Sequence, residues 1–193
     1  MSIPALDEIS EALGRGEVIG LPTDTVYGVA ADPHNHNAIA RLFALKVRDE
    51  DKPVGLLVAD AGAALAMVDL PDYAVTWARK FWPGPLNLVG LARFELPAGV
   101  GDHRRGTVAV RVPDHPIARE ILGACGPLAV TSANRSGGPE TLDHASARAI
   151  LGDLVDLYVE GRCPGAVSST TVDVTGSKPV LLRQGPLAGD LGL

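Results

Sequence analysis

Apolar positions recur along this chain with two periods, and the switches between them mark out its elements. Leu6, Ile9 and Leu13 fall at helical spacing, and Gly14 and Gly16 close that run. "EVIGL" (17–21) then reads as a short buried strand ending at Pro22. In "NAIARLFALK", Ile39, Leu42 and Phe43 share one helical face, with Asn37 as the expected N-cap. "VGLLVAD" (54–60) predicts a second strand, and the alanine-rich stretch after it a helix that stops before Pro71. "PDYAVTWARKFW" opens a helix with Pro in its first turn, and "PGP" at 83–85 breaks it.

"LNLVGLA" (86–92), "TVAVRVP" (107–113) and "GPLAVTS" (126–132) read as strands, with "HPIAREILG" (115–123) as a helix between the last two. Residues 143–151 predict a further helix, and "LVDLYVE" leads toward a final strand. "STTVDVTGSKPVLLRQG" has the pattern of a hairpin turned at "TGSKP". Strands and helices mix irregularly, which predicts an α/β domain with a mixed parallel and antiparallel sheet. With no repeat, linker or low-complexity segment, one domain over residues 1–193 is expected.

Composition narrows the class. The 193 residues suffice for one core, 46% are hydrophobic and 21% charged, as in ordinary globular proteins. Cys125 and Cys163 stand far apart with no CxxC or Cys/His spacing, which argues against a zinc site or disulfide framework and for a reducing setting. The start "MSIPALDEISEALGRG" has acids where a signal peptide is basic, and no apolar run approaches the ~18 residues of a membrane span. A cytoplasmic location is expected. A net charge of −6 and 4% aromatics make RNA a less favoured primary ligand.

Four interruptions carry the candidate chemistry. "PTDTVYG" (22–28) follows a strand and offers Thr23, Asp24 and Thr25 where α/β sheets keep ligands; such residues also make caps and Asx turns. "KVRDEDKPVG" (46–55) sets Lys46, Arg48 and Lys52 around a turn into a strand, either as a solvated loop or as a cradle for phosphates. "TSANRSGGP" (131–139) ends a strand in hydroxyl and amide groups, and its glycines allow close backbone approach to an anion. It is not a P-loop, since GxxxxGK[ST] is absent from the chain.

The fourth is a pair of strand-end arginines. Alternation puts Thr107, Ala109 and Arg111 on one face, with Val108 and Val110 on the other, and Arg183 ends "VLLR". An Arg on a strand face needs an anionic partner, internal or bound. No histidine lies in HExxH or beside GxSxG, and Cys125 has no local base. Positioning and charge neutralisation, without a covalent intermediate, fit the inventory best.

In this order, the segments "GEVIGLPTDTVYGVA", "KVR…KP", "FWPGPLNLV", "TVAVRVPDHP", "TSANRSGG", "SSTTVDV" and "LLRQG" resemble the YrdC-type threonylcarbamoyl-adenylate synthases over nearly the whole chain. The resemblance implies a twisted α/β sheet flanked by helices around a deep, positively lined cavity. It implies that L-threonine, bicarbonate and ATP are joined into threonylcarbamoyl-AMP with release of pyrophosphate, for threonylcarbamoyladenosine formation in tRNA. By similarity, Thr23, Thr107, Arg111 and Ser169 would sit near threonine. Lys46, Arg48, Ser132, Asn134 and Arg183 would sit near the nucleotide, with Lys46, Arg48 and Arg111 as the catalytic cations and Mg2+ on the phosphates. A downstream tRNA-modifying complex is the implied partner.

The chain departs from the family's usual pattern at Asn87, where Thr is common, and at Val29, Thr131 and Gln184. Leu57 stands where some relatives carry His. "VGDHRRG" (100–106) is a candidate lid on its glycines. Two competing readings remain: a carbamoyl-phosphate-dependent transferase module, and an RNA-binding module without catalysis.

Overall fold

Short runs of Val, Ile, Leu and Ala, each cut by Gly or Pro, pair into a sheet of ten strands among the described residues. The structure, a computed structural model, describes residues 6–46, 53–135, 137–165 and 167–193, with only the backbone of Lys46. In chain order the strands are β1 (Ile19–Leu21), β2 (Gly28–Ala31), β3 (Gly55–Leu57), β4 (Val68–Asp69) and β5 (Leu86–Ala92). They continue as β6 (Thr107–Arg111), β7 (Leu128–Ser132), β8 (Leu157–Tyr158), β9 (Thr170–Asp173) and β10 (Val180–Arg183).

The spatial order is β10-β9-β5-β6-β3-β7-β2-β1-β8, with β4 beside β5. The β1/β8, β3/β6 and β5/β9 pairs are parallel and the others antiparallel, so the sheet is mixed as its sequence pattern predicts.

Six α-helices among the described residues flank it: α1 (Leu6–Gly14), α2 (His36–Lys46), α3 (Ala61–Met67), α4 (Asp72–Phe81), α5 (Pro116–Cys125) and α6 (His144–Leu151). None is long and apolar enough to cross a membrane. Alternation divides each strand between two cores. Val29, Leu56, Leu86, Leu88, Val108 and Val110 face the larger one, with α2, α3, α4 and α6. Ala30, Leu57 and Leu128 face the smaller, with Ile9 and Leu13 of α1 and Ile121 and Leu122 of α5. That smaller core covers β1 and part of β2, β3 and β7, leaving Gly28, Gly55 and Ser132 to the cavity. The same face of β5, β6 and β9 is left for the cavity described below.

Local details differ from the sequence pattern in five places. Asn35, not Asn37, caps α2: its Oδ1 accepts the N–H groups of Asn37 and Ala38, each at 3.1 Å. Pro71 precedes α4 at the N-cap position, outside the first turn. Val68 and Asp69 leave the alanine-rich helix to pair with β5, and "GVAA" forms β2 in the middle of the sheet. Between Leu181 and Arg183 the β10/β9 register slips by one residue, a bulge at Leu182.

Candidate active site

A cavity of about 680 Å³ lies over the uncovered face of the sheet. Its floor is made of small or polar side chains from facing positions: Gly28, Gly55, Ala109, Asn87 and Thr171. A Cβ on Gly55 would lie 3.1 Å from both the Cβ and the O of Ala109, so this floor has no room to rise there. The bulge in β10 turns both Leu182 and Arg183 onto the cavity, although strand alternation would separate them.

Arg111 ends β6 at the cavity wall and is 5% exposed. Its Nε donates to Gly84 O at 3.0 Å, and Nη1 to Thr25 Oγ1 at 3.0 Å and Ser169 Oγ at 3.1 Å. Nη2 donates to the Asp24 carboxylate, whose Oδ1 also accepts the Asp114 N–H at 3.0 Å. Burial pushes the guanidinium below its ordinary pKa, while Asp24 opposes that shift by charge and hydrogen bond. The result is a fixed cation with one Nη2 hydrogen to spare.

The Thr-Asp-Thr turn that receives Arg111 is internally braced. Thr23 Oγ1 donates to Val26 O at 2.7 Å and accepts the Thr25 N–H at 3.1 Å, while Thr23 N–H meets Cys163 Sγ at 3.3 Å. The turn chemistry expected of such residues and a place on the cavity lining therefore coexist at Thr23 and Thr25. Gly165 packs against this turn: a Cβ there would lie 2.6 Å from Asp24 O and 2.8 Å from Thr25 Cα.

Ser169 is the meeting point. Besides Arg111, its Oγ receives Arg183 Nη2 at 3.1 Å and Asn87 Nδ2 at 2.9 Å, and its carbonyl receives Arg183 Nε at 2.9 Å. Three donors thus converge on Oγ, more than its two acceptor lone pairs can each serve alone. Asn87 Nδ2 also donates to Thr171 Oγ1 at 3.1 Å.

Ser132 lines the cavity and donates to Asn134 Oδ1 at 2.7 Å. Asn134 is buried behind that lining and donates to Gly138 O at 2.7 Å, closing the loop. Thr107, at the opposite end of β6 from Arg111, pairs with Asp102 and Leu91 and is not on the cavity wall. Its face follows the alternation, but its distance along the strand does not suit a shared pocket. The side chain of Lys46, and Arg48 and Lys52, lie outside the described residues.

The 100–106 segment is pinned. Asp102 N–H donates to Thr107 O at 2.7 Å, and Arg105 pairs with Asp173 at 2.7 Å. Its residues border a different cavity of about 720 Å³, beside α2. Glycines there serve a tight turn; Gly101 and Gly106 both have φ of +65°.

Behind Asp24 sit two further titratable groups. Burial pushes the Cys163 thiol up to about 11, which removes it as a thiolate nucleophile near neutrality, and burial likewise raises Cys125. His115 Nδ1 and Asp24 Oδ2 are buried without hydrogen-bond partners. Sequence reading singled out neither Asn87 as a site residue nor Asp24 as the partner of Arg111. The first was within reach, since Leu86 and Leu88 are core residues and Asn87 must face the other way.

The Sua5/YciO/YrdC family model, described as telomere recombination, matches residues 11–185. The chain belongs to this family. A Mycobacterium tuberculosis member is 43% identical over 179 residues, covering 92% of this chain and 82% of that one. The threonylcarbamoyl-AMP synthase of Vibrio cholerae is 37% identical over 187 residues, covering 93% of this chain and 97% of its own. Among solved Sua5/YciO/YrdC structures, P. abyssi Sua5 complexed with L-threonine has a TM-score of 0.86 at 32% identity. The match covers 98% of this chain but 58% of that one, so this chain spans little over half of that relative.

Proposed function

We propose that this protein is a threonylcarbamoyl-AMP synthase, joining L-threonine, bicarbonate and ATP and releasing pyrophosphate. The observation that carries the reading is the convergence of Arg111 and Arg183 on Ser169 at the wall of a cavity of about 680 Å³. The relatives' names supply the reaction; the residues supply a reason the reaction could run here. Threonine's neutral amine attacks the carbon of CO2 with loss of a proton, or that of bicarbonate with loss of water, to give a carbamate. A carbamate oxygen then attacks the α-phosphorus, and the bond from that phosphorus to the pyrophosphate oxygen breaks.

Two anions have to meet, so fixed cations must offset their repulsion. In this reading Arg111 and the Ser169 hydroxyl hold the threonine carboxylate, with Thr23 beside them. Arg183 and Ser132 face the nucleotide, and Asn134 holds the Ser132 loop in shape. Lys46 and Arg48 remain the expected phosphate cations on sequence grounds. Thr107 would act at most through the strand it anchors.

Among the described residues no group of three or more His, Cys, Asp or Glu could hold a metal ion. In this reading Mg2+ arrives on the phosphates, since it keeps several waters and takes few protein ligands. Glu140 is not itself on the cavity lining but accepts the hydroxyl of Ser168, which is, so it would hold the ion by way of the ion's waters. Bound there, Mg2+ neutralises charge on the phosphates. The product, an activated threonylcarbamoyl group, suits an enzyme that acylates an adenosine amine in tRNA.

The test is pyrophosphate release from ATP and Mg2+, omitting threonine or bicarbonate in turn. Release that requires both co-substrates is expected. Consumption of carbamoyl phosphate with ATP untouched by threonine would overturn the reading in favour of a carbamoyltransferase. Salt-sensitive RNA binding without any turnover would favour a binding module.

A further inference from the structure

We infer that Asn87 reads the side-chain hydroxyl of the amino-acid substrate, its amide oxygen being the acceptor that separates threonine from apolar analogues. The inference deepens the synthase reading and rests on it. Asn87 occupies the cavity-facing position of β5 between Leu86 and Leu88, both of which are 0% exposed in the larger core. Its direction is therefore fixed by two buried neighbours.

Hydrogen-bond inventory does the rest. An Asn amide has two donors and an acceptor oxygen. Both donors are used: Nδ2 reaches Ser169 Oγ at 2.9 Å and Thr171 Oγ1 at 3.1 Å. No described residue donates to Oδ1, and Oδ1 is not among the buried polar atoms that lack a partner. It is thus an accessible acceptor, held in a cavity wall by an amide that cannot rotate without breaking two bonds.

Its setting selects the ligand group. Ser169 Oγ links Asn87 to Arg111, so a carboxylate paired with Arg111 leaves an amino acid's side chain close to the Asn87 amide. A lone acceptor there calls for a donor. Ala109, on the adjoining strand β6, lines the same floor and offers an apolar surface for a methyl group. A β-hydroxyl with a methyl beside it matches both.

The expected size of the effect is large. A site built to bond a substrate hydroxyl rejects analogues lacking it by about 10⁴–10⁵, whereas one methylene in an apolar pocket is worth only about 10–200-fold. The experiment measures kcat/KM for threonine, valine and 2-aminobutyrate in wild type, Asn87→Leu and Asn87→Asp, with melting curves to show folding. Asn87→Leu should cut the threonine-to-valine ratio at least about 100-fold through the KM for the amino acid, with the KM for ATP within about twofold. Asn87→Asp keeps an acceptor and should keep most of the preference for threonine.

A folded Asn87→Leu protein that retains the wild-type ratio overturns the inference. So does loss of preference in Asn87→Asp together with full binding of valine, which would make the amide nitrogen the reader. If Asn87→Leu turns over nothing, calorimetric binding of threonine against valine decides by the same ratio. Failure of wild type to release pyrophosphate with threonine and bicarbonate would sink the synthase reading instead. The threonine-to-valine binding ratio would still judge Asn87 separately.

Discussion

Arg111 and Arg183 donate to one oxygen, Ser169 Oγ, each at 3.1 Å, although β5 and β9 lie between their strands in the sheet. The proximity of Arg183 helps depress the Arg111 pKa, after burial as the leading cause. Two cations that share an acceptor favour an anion between them. Nucleotide at about 100 times its Kd should therefore stabilise the fold by about 2.7 kcal/mol. For a chain of this size that is a rise of roughly 5–10 °C in Tm. Differential scanning fluorimetry with ATP and Mg2+ measures it, and Arg183→Ala should remove most of the shift while leaving the ligand-free Tm nearly in place.

The Asp24–Arg111 pair separates stability from activity. Their side chains are 9% and 6% exposed, so removal of one leaves the other buried and unpaired. Asp24→Ala should cost about 3–5 kcal/mol in urea unfolding. The double variant Asp24→Ala/Arg111→Met should recover much of that loss, because apolar replacements of buried pairs are often close to neutral. Pyrophosphate release should stay abolished in the double variant. Recovery of turnover along with stability would show that Arg111 is structural.

Acid should weaken the protein partly through His115. Burial holds its pKa below the ordinary value of 6.5, against hydrogen bonding to Arg162 and the charges of Asp24 and Asp114. The unfolded chain then takes up a proton near pH 6.5 that the folded chain refuses. Stability is thus lost as pH falls from about 6.5 toward the folded-state pKa, at up to about 1.4 kcal/mol per pH unit. Urea midpoints at pH 7.5 and 5.5 should differ less in His115→Gln than in wild type. An identical pH slope in the two proteins would remove His115 from the account.

Gly185 is expected to be intolerant of any side chain. A Cβ would press on Thr170 N and lie 2.6 Å from both Ser168 O and the Ser169 carbonyl carbon. All are backbone atoms that cannot swing aside. Gly185→Ala should cost about 1–3 kcal/mol by overpacking. Because Ser169 is the displaced residue, kcat/KM should fall by more than tenfold. A variant with normal kinetics and a lowered Tm would confine the effect to packing.

Alternation made β5, the arginine end of β6 and the hairpin of β9 and β10 readable, because each has a face that must be apolar. β2 was not readable. Gly28, Val29, Ala30 and Ala31 include a single β-branched residue, and their burial comes from β1 and β7, brought in from distant sequence. At the site, Thr23, Ser132, Ser169, Arg111 and Arg183 reach the cavity because each closes or borders a strand. Thr107 shares a face with Arg111 but stands four residues away, about 13 Å of extended strand. Face is a local property that sequence carries; position along the sheet is set by register with other strands. The Asp24–Arg111 pairing belongs to that second kind.

The bulge at Leu182 has a bearing on the order in which the molecule becomes competent. Ribosomes deliver the Thr23 turn first and β10 last, and Arg183 reaches Ser169 only after that irregular strand has docked on β9. Until that strand has docked, the pocket lacks its second cation at Ser169, and the larger core lacks Leu181, Leu187 and Leu191. The larger core and the pair of cations at Ser169 are therefore completed by the same late segment.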